Sequence, residues 1–376
     1  MSELVSSPAA ATKTRVVLGM SGGVDSSAAA SLLIEQGYDV VGITLKLWPQ
    51  DCLSRAEDKC CGPQAVTDAR SVAHRLNIPH YLIDEAKEFQ EQVISYFAAE
   101  YRAGRTPNPC VMCNEKLKFG NLLTRARRLG AELIATGHYA RVDRDAVSGR
   151  FLLRQGRDLK KDQSYFLFSL RQDQLAHVLF PLGHLTKSET RDVAREASLK
   201  TAEKEESMEI CFVPDKDYGR FLQQAHLVEK HKGDIVDIHG RKLGEHDGIE
   251  FYTIGQRKGL GLSTPTPVYV IELDPVRNQV VVGEDTLLDR SDFIVERCNW
   301  IPWETPPASV EARVKIRYNH SGAQATIEPR ADGTARVVLH TPQRAITPGQ
   351  ACVFYQEDLV VGGGWITRGA SSVRPQ

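Results

Sequence analysis

The residues Ser21-Gly22-Gly23-Val24-Asp25-Ser26-Ser27 directly follow the apolar run Val16-Val17-Leu18 and lead into an alanine-rich stretch. Apolar run, tight turn of small residues and helix start together fix a strand–loop–helix unit of the kind that holds phosphate. Gly22 and Gly23 permit positive φ and close approach of backbone to a ligand. Ser21, Ser26 and Ser27 add hydroxyls, and the N–H groups of the helix start add donors assisted by its dipole. No lysine follows the glycines as in a Walker loop, and the spacing is not that of a dinucleotide-binding turn. Asp25 has two readings: organiser of a metal or of the loop, or helix cap.

The first half of the chain continues in the same alternation. Strands are expected at 16–18, 40–45, 80–83 and 132–136, and helices near 26–36, 64–76, 85–103 and 116–129. Gly37 and Gly130 stand where helix C-terminal glycines belong. This order predicts an α/β fold with a doubly wound parallel sheet and a site at the carboxyl ends of its strands. The loop 19–25 and Gly137-His138 would face that crevice together. A hairpin is expected around Ser148-Gly149, and Thr186 to Glu189 reads as a capping box opening a helix at 187–197. Short strands follow at 234–238, 251–254, 268–273 and 279–283. Beyond the proline-rich 301–307 come 310–317, 324–328, 335–340 and 351–355. The expected division is a loose tail 1–14, a catalytic domain 15–215, a small β-rich middle domain 216–288 and a C-terminal β-barrel 289–376.

With 376 residues, two or three domains are expected. The formal net charge of −1 means that any nucleic-acid binding must come from local patches. No apolar run reaches the ~18 residues a membrane span needs. The Ser-, Ala- and Thr-rich first dozen residues read as a tail rather than a signal peptide. Eight cysteines without secretory features suggest reduced thiols and a cytoplasmic protein.

Two of those cysteines stand out. Residues 105–114 carry Pro107 and Pro109 and read as a stiff loop. The loop feeds the helix near 116, placing Cys113 by a helix N-terminus with Lys116 and Lys118 close, which favours thiolate. Cys211, between Ile210 and Phe212 and after the polar stretch 203–207, reads as riding a segment able to swing toward the crevice. The same thiols, Cys110, Cys113 and Cys211 with Cys60 or Cys61, could instead ligate an iron–sulfur cluster or zinc. Cys52, Cys298 and Cys352 read as structural thiols. Basic clusters occur at Lys116, Lys118, Arg125, Arg127 and Arg128, at Lys160-Lys161, and at Arg257-Lys258. Each alone reads as a solvated face; together they suit an RNA needing many phosphate contacts.

The first loop resembles the S-G-G-x-D-S loop of the ATP pyrophosphatases. Further on, T-P-N-P-x-x-x-C-N-x-x-L-K-F (106–119), A-T-G-H-Y (135–139), K-D-Q-S-Y-F (161–166), E-I-C-F (209–212), Y-T-I-G-Q-R-K-G-L-G (252–261) and T-P-G-Q (347–350) follow in order. This ordered set is similar to one family, the tRNA-specific 2-thiouridylases, from residue 19 to about 355. The resemblance implies a catalytic domain of the adenine nucleotide alpha hydrolase-like type. It implies adenylation by ATP of the C2 oxygen of a wobble uridine, then sulfur transfer from a cysteine persulfide, giving 2-thiouridine, AMP and pyrophosphate.

Carried over by position, Cys113 is the nucleophile and Cys211 the persulfide carrier. ATP with Mg²⁺ lies on Gly19, Met20, Ser21, Gly22, Gly23, Val24, Asp25, Ser26, Leu45 and Gly137. The target base lies beside Asn108, Pro109 and Cys110, and tRNA touches His138, Lys161, Asp162, Gln163, Arg317, Tyr318 and Gln350. The implied partners are tRNAs of the Lys, Glu and Gln type and a persulfide-donating cysteine desulfurase or sulfur-relay protein, with the chain a monomer. Cys110 stands where many members carry Asp, so a role assisting the nucleophile is open there. For His138 and Tyr139 the residues alone favour a packed strand-end pair. A competing use of the same loop is an amide ligase adenylating a small carboxylic substrate. The cysteine pair argues against it, since a ligase needs an amine site rather than redox thiols.

Overall fold

The structure is a computed structural model and describes residues 13–47, 62–205, 210–213 and 217–368. In chain order its first strands are β1 (Arg15–Gly19), β2 (Asp39–Lys46), β3 (His80–Asp84) and β4 (Leu133–Ala135), then a hairpin of β5 (Ala140–Arg144) and β6 (Phe151–Gln155), then β7 (Val178–Leu179). Five of them make one all-parallel sheet in the order β3-β2-β1-β4-β7. Central β1 shows why the sheet is doubly wound. Val16 and Leu18 pack with Ala28, Ala29, Ala30 and Leu33 of α1 (Val24–Glu35) and with Ala69 and Val72 of α2 (Pro63–Arg75). Val17, pointing the other way, packs with Leu122, Leu123 and Ala126. Both faces are covered, so Val16, Val17 and Leu18 are all apolar and fully buried.

Residues 109–128 depart from the loop expected at 105–114. Pro109 occupies the first position of a helix, Pro109–Met112, whose N-cap is Asn108, with Val111 N donating to Asn108 Oδ1 at 3.4 Å. The helix runs on through a π-helical stretch, Cys113–Asn121, into Leu122–Arg128. Proline at this first position has no N–H to lose and a φ already suited to the helix. The second proline therefore opens a helix, and Cys113 lies one turn inside it. Gly37 and Gly130 take φ +87° and +71° as helix ends require. The capping box forms as read, with Thr186 N donating to Glu189 Oε2 at 2.6 Å and opening the helix Lys187–Glu196.

The middle of the chain forms a four-stranded sheet, β10-β11-β8-β9, from β8 (Gly233–Asp237), β9 (Lys242–His246), β10 (Tyr269–Asp274) and β11 (Gln279–Gly283). Where a strand was expected at 251–254, a 3₁₀ turn Ile249–Phe251 occurs instead. The last part is a closed barrel of β12 (Asp289–Trp300), β13 (Val310–Lys315), β14 (Ala323–Pro329), β15 (Ala335–Arg344), β16 (Ala351–Gln356) and β17 (Leu359–Ile366). Closure comes from β12, which pairs with β15 along its first half and β17 along its second, with a register break in each ladder. Alternate residues Phe293, Val295, Val314, Ala325, Val337 and Phe354 fill the interior. The β5–β6 hairpin joins the barrel at β17 through Leu359 opposite Arg154. Arg141 and Arg154 both reach Asp358, at 2.5 and 2.7 Å. Among the described residues no helix is long and apolar enough to cross a membrane.

Candidate active site

The turn after β1 is built so that its backbone, rather than its side chains, faces the crevice. Gly22 has φ +68°, and a Cβ there would lie 2.1 Å from the Ala65 carbonyl oxygen of α2. Only glycine fits. Gly23 is the N-cap of α1, in extended backbone and with no side-chain cap, so the first-turn N–H groups remain available to an anion. The serines brace the turn. Ser26 Oγ accepts from Ser21 N at 3.1 Å and donates to Gly23 O, to which Ser27 Oγ also donates at 2.8 Å. Gly137, at the end of β4, comes so close to α1 that a Cβ would sit 2.9 Å from Asp25 C and Ser26 N. Gly19, Met20 and Val24 complete the wall, Met20 N donating to Ile43 O across to β2.

Asp25 is not a cap. Its Oδ1 accepts from Lys187 Nζ at 2.7 Å and from the Tyr139 hydroxyl at 2.8 Å. The Tyr139 hydroxyl also lies 3.0 Å from Thr190 Oγ1, so the start of α1 is tied to the helix Lys187–Glu196. Lys204 Nζ donates to Gly22 O at 3.0 Å and also reaches Asp68, clamping the turn from the far side. Sequence reading missed both lysines. Lys187 occupies the first position of a helix whose start was legible, but its partner Asp25 is 162 residues away in sequence. Lys204 carried no local signal.

The cysteines meet this turn through β2. Thr44 Oγ1 donates to Met20 O at 2.8 Å, at the root of the turn. Its neighbour Leu45 packs on an apolar cluster of Phe89, Val93, Phe97, Leu117 and Phe212, and both Cys113 and Cys211 pack on that same cluster. Phe212 anchors the second cysteine, its ring edge-on to Phe97 at 5.0 Å and Phe89 at 5.8 Å. Cys113, Cys211 and Cys110 are each half-buried. Adjacent residues near the carboxyl end of β2 thus touch the turn on one side and, on the other, the cluster on which the two thiols pack.

Residues 14–215 match the family described as tRNA methyl transferase HUP domain, 219–284 its PRC-barrel domain and 290–366 the aminomethyltransferase beta-barrel domain. The tRNA-specific 2-thiouridylase MnmA of Heliobacterium modesticaldum is 49% identical over 366 residues, covering 97% of this chain and 95% of that protein. Its namesake in Moorella thermoacetica is 51% identical over 351 residues, covering 93% and 98%. That of Geotalea uraniireducens is 50% identical over 358 residues, covering 94% and 95%. The chain belongs to the tRNA-specific 2-thiouridylase family.

Within this 2-thiouridylase fold Cys110 lies three residues before Cys113 on one helix, hence on a shared face. Asn108 and Pro109 are buried beside it. Positions expected to touch tRNA divide into two sets. Arg317 is exposed and Lys161 and Tyr318 are half-buried, with the Tyr318 ring 4.5 Å from Phe166. His138 is buried against Phe119 and Phe180, and burial, reinforced by Lys118, holds its imidazole well below the usual pKa. Asp162 is buried and accepts from Gln155 Nε2, Gly156 N, Ser164 N and Ser164 Oγ. Gln163 Oε1 accepts from Tyr139 N, and Gln350 Nε2 donates to the carbonyls of Thr106 and Pro107.

The remaining thiols are of another kind. Burial, with Asp332 and Glu296 adding to it, pushes the Cys298 thiol up to about 12, and burial likewise holds the Cys352 thiol well above its ordinary pKa. Among the described residues no group of three His, Cys, Asp or Glu side chains is placed to hold a metal ion. Cys52, Cys60 and Cys61 lie outside the described residues. Of the basic clusters, Arg125 is spent on the fully buried Glu85 at 3.0 Å, whereas Arg127, Arg128, Lys160, Arg257 and Lys258 are exposed.

Proposed function

We propose that this chain is a tRNA 2-thiouridylase that adenylates the C2 oxygen of a wobble uridine and then replaces it with cysteine-borne sulfur. One observation carries the reading: Leu45 packs on the cluster that bears Cys113 and Cys211, while its neighbour Thr44 is bonded to the root of the glycine turn. This link supports a reading in which nucleotide chemistry and thiol chemistry are served by one crevice. The methyl transferase wording of the matched family fits this arrangement less well, since methyl transfer needs neither an adenylating turn nor two thiols.

The uracil C2 oxygen is a poor leaving group. Its attack on the α phosphorus of ATP expels pyrophosphate and turns it into the leaving group AMP. The first-turn N–H groups of α1 would receive the phosphate oxygens whose charge grows in that step. Asp25, a third exposed, is the carboxylate at the turn, and one carboxylate with phosphate oxygens suits Mg²⁺. Bound there, the ion would neutralise charge on the departing pyrophosphate. A perthiolate on Cys211 then attacks C2 and expels AMP, and the Cys113 thiolate takes the Cys211 sulfur, freeing the thiocarbonyl and closing a Cys113–Cys211 disulfide. If Cys113 attacks the persulfide first, hydrosulfide attacks C2 and the same disulfide results. Either route consumes a two-electron dithiol reductant. The persulfide must come from a sulfur-donating protein, and we assign the working form as a monomer.

The test is incubation of the protein with tRNA, ATP, Mg²⁺, a persulfide donor and dithiol, followed by nucleoside mass spectrometry. 2-Thiouridine with stoichiometric AMP is expected. Cys113→Ser and Cys211→Ser should keep ATP binding and lose product with the persulfide donor. Full thiolation by either variant would sink the assignment.

A further inference from the structure

The barrel grips the residues that precede the Cys113 helix at three successive positions. Thr106 N donates to Pro348 O at 2.8 Å. Gln350 Nε2 donates to Thr106 O at 3.1 Å and Pro107 O at 3.2 Å. The Tyr165 hydroxyl donates to Ala351 O at 2.9 Å and is held also by the side chain of Asn108. Asn108 is the residue that caps the helix. Gly349 lets the two segments meet, because a Cβ there would lie 2.9 Å from Arg105 Cβ and from Thr106 O, and its φ is +88°. Glycine, glutamine and the main chain around them are thus fitted to residues 105–108.

Proline accounts for the need. Pro107 and Pro109 donate no backbone hydrogen bond, so residues 106–109 cannot be held by a ladder of their own. Carbonyls that no strand or helix engages must be satisfied by side chains or water. The Gln350 amide supplies both donors, one to each of two adjacent carbonyls. We propose that Gln350 is a positioning residue: it fixes the Thr106–Asn108 segment so that the capped helix presents Cys113 to the adenylated base. Both hydrogens of its amide nitrogen are then spent inside the protein. This inference rests on the assignment of Cys113 as the reacting thiol.

Gln350→Met keeps the length of the side chain and removes only the two donors. Three readouts separate positioning from RNA contact and from folding. Expected are a melting temperature within a few degrees of the parent, a tRNA dissociation constant within twofold, and a kcat for 2-thiouridine lowered at least tenfold. Iodoacetamide labelling of Cys113, followed by peptide mass spectrometry against pH, should shift in rate or midpoint in the variant. ATP binding should stay unchanged. A tRNA dissociation constant raised tenfold with kcat and labelling unaltered would overturn the proposal and make Gln350 an RNA contact. Unaltered values throughout would overturn it as well. Should Gln350→Met not fold, Gln350→Glu, which keeps size but sets a carboxylate against two carbonyls, is read by the same labelling profile. Absence of 2-thiouridine from the parent protein would instead count against the function itself.

Discussion

His138 shows what a residue can and cannot announce. Its place after Gly137 at a strand end was visible, but the choice between packing and RNA contact depended on Phe119 and Phe180, which come from distant parts of the chain. Burial holds its folded pKa below the unfolded value near 6.5. Between those two values the unfolded chain binds a proton that the folded chain refuses, so stability falls as pH drops through 6.5. The limiting slope for one proton is about 1.4 kcal/mol per pH unit. Urea midpoints between pH 7.5 and 5.5 should therefore fall less steeply in His138→Gln than in the parent; equal slopes would show that the imidazole charges freely. At Gly22 both the left-handed φ and the 2.1 Å that a Cβ would leave to Ala65 O forbid a side chain. Gly22→Ala is expected to weaken ATP binding more than tenfold by calorimetry, and parental affinity would contradict the tightness of that turn.

Among elements, those whose start and stop residues are local were legible. The turn at 21–27, the capping box at Thr186 and the helix-ending glycines all declare themselves within a few residues. The helix at Pro109 was misread because a pair of prolines was weighed as a loop, although Asn108 before Pro109 is itself a cap followed by a permitted first position. β17 was not among the expected strands, and Gly362-Gly363-Gly364 give its middle no alternating side-chain pattern to read. In the structure these glycines are strand interior, so closely packed that a Cβ would lie 2.5 Å from Asn299 O at Gly362, 2.6 Å from the Phe168 ring at Gly363 and 2.8 Å from Glu296 O at Gly364. Such contacts involve residues up to 195 positions away, and no local pattern carries them. The capping box also has a functional side, since it places Lys187 against Asp25. Thr186→Ala should cost about 1 kcal/mol of stability. It should also weaken ATP binding severalfold by equilibrium dialysis; a stability loss alone would mean that the Asp25–Lys187 pair tolerates a frayed helix start.

For the whole molecule, a net charge of −1 leaves RNA binding to exposed basic side chains scattered along the chain, from Arg127 and Arg128 through Lys160, Arg257 and Lys258 to Arg317. The glycine-rich turn of the middle sheet holds Arg257 and Lys258 out at its tip, with Gly255 and Gly259 both in the left-handed region and Gln256 bonded to Thr253 N and Lys258 O. Binding of tRNA should weaken log-linearly with salt, each phosphate contact adding about 0.9 to the slope. Arg257→Glu with Lys258→Glu should lower that slope by about two, measured by fluorescence anisotropy between 50 and 300 mM salt. An unchanged slope would remove this turn from the interface. The β5–β6 hairpin has a different consequence. Because it lies against β17 and anchors on Asp358, the hydrogen-bonded surface of the barrel ends inside the catalytic part. A gene cut before residue 289 would strip β6 of its neighbour and expose a bare strand margin, an invitation to self-association. The two ends of this polypeptide are then best regarded as a single manufacturing unit, unsuited to being expressed apart and mixed.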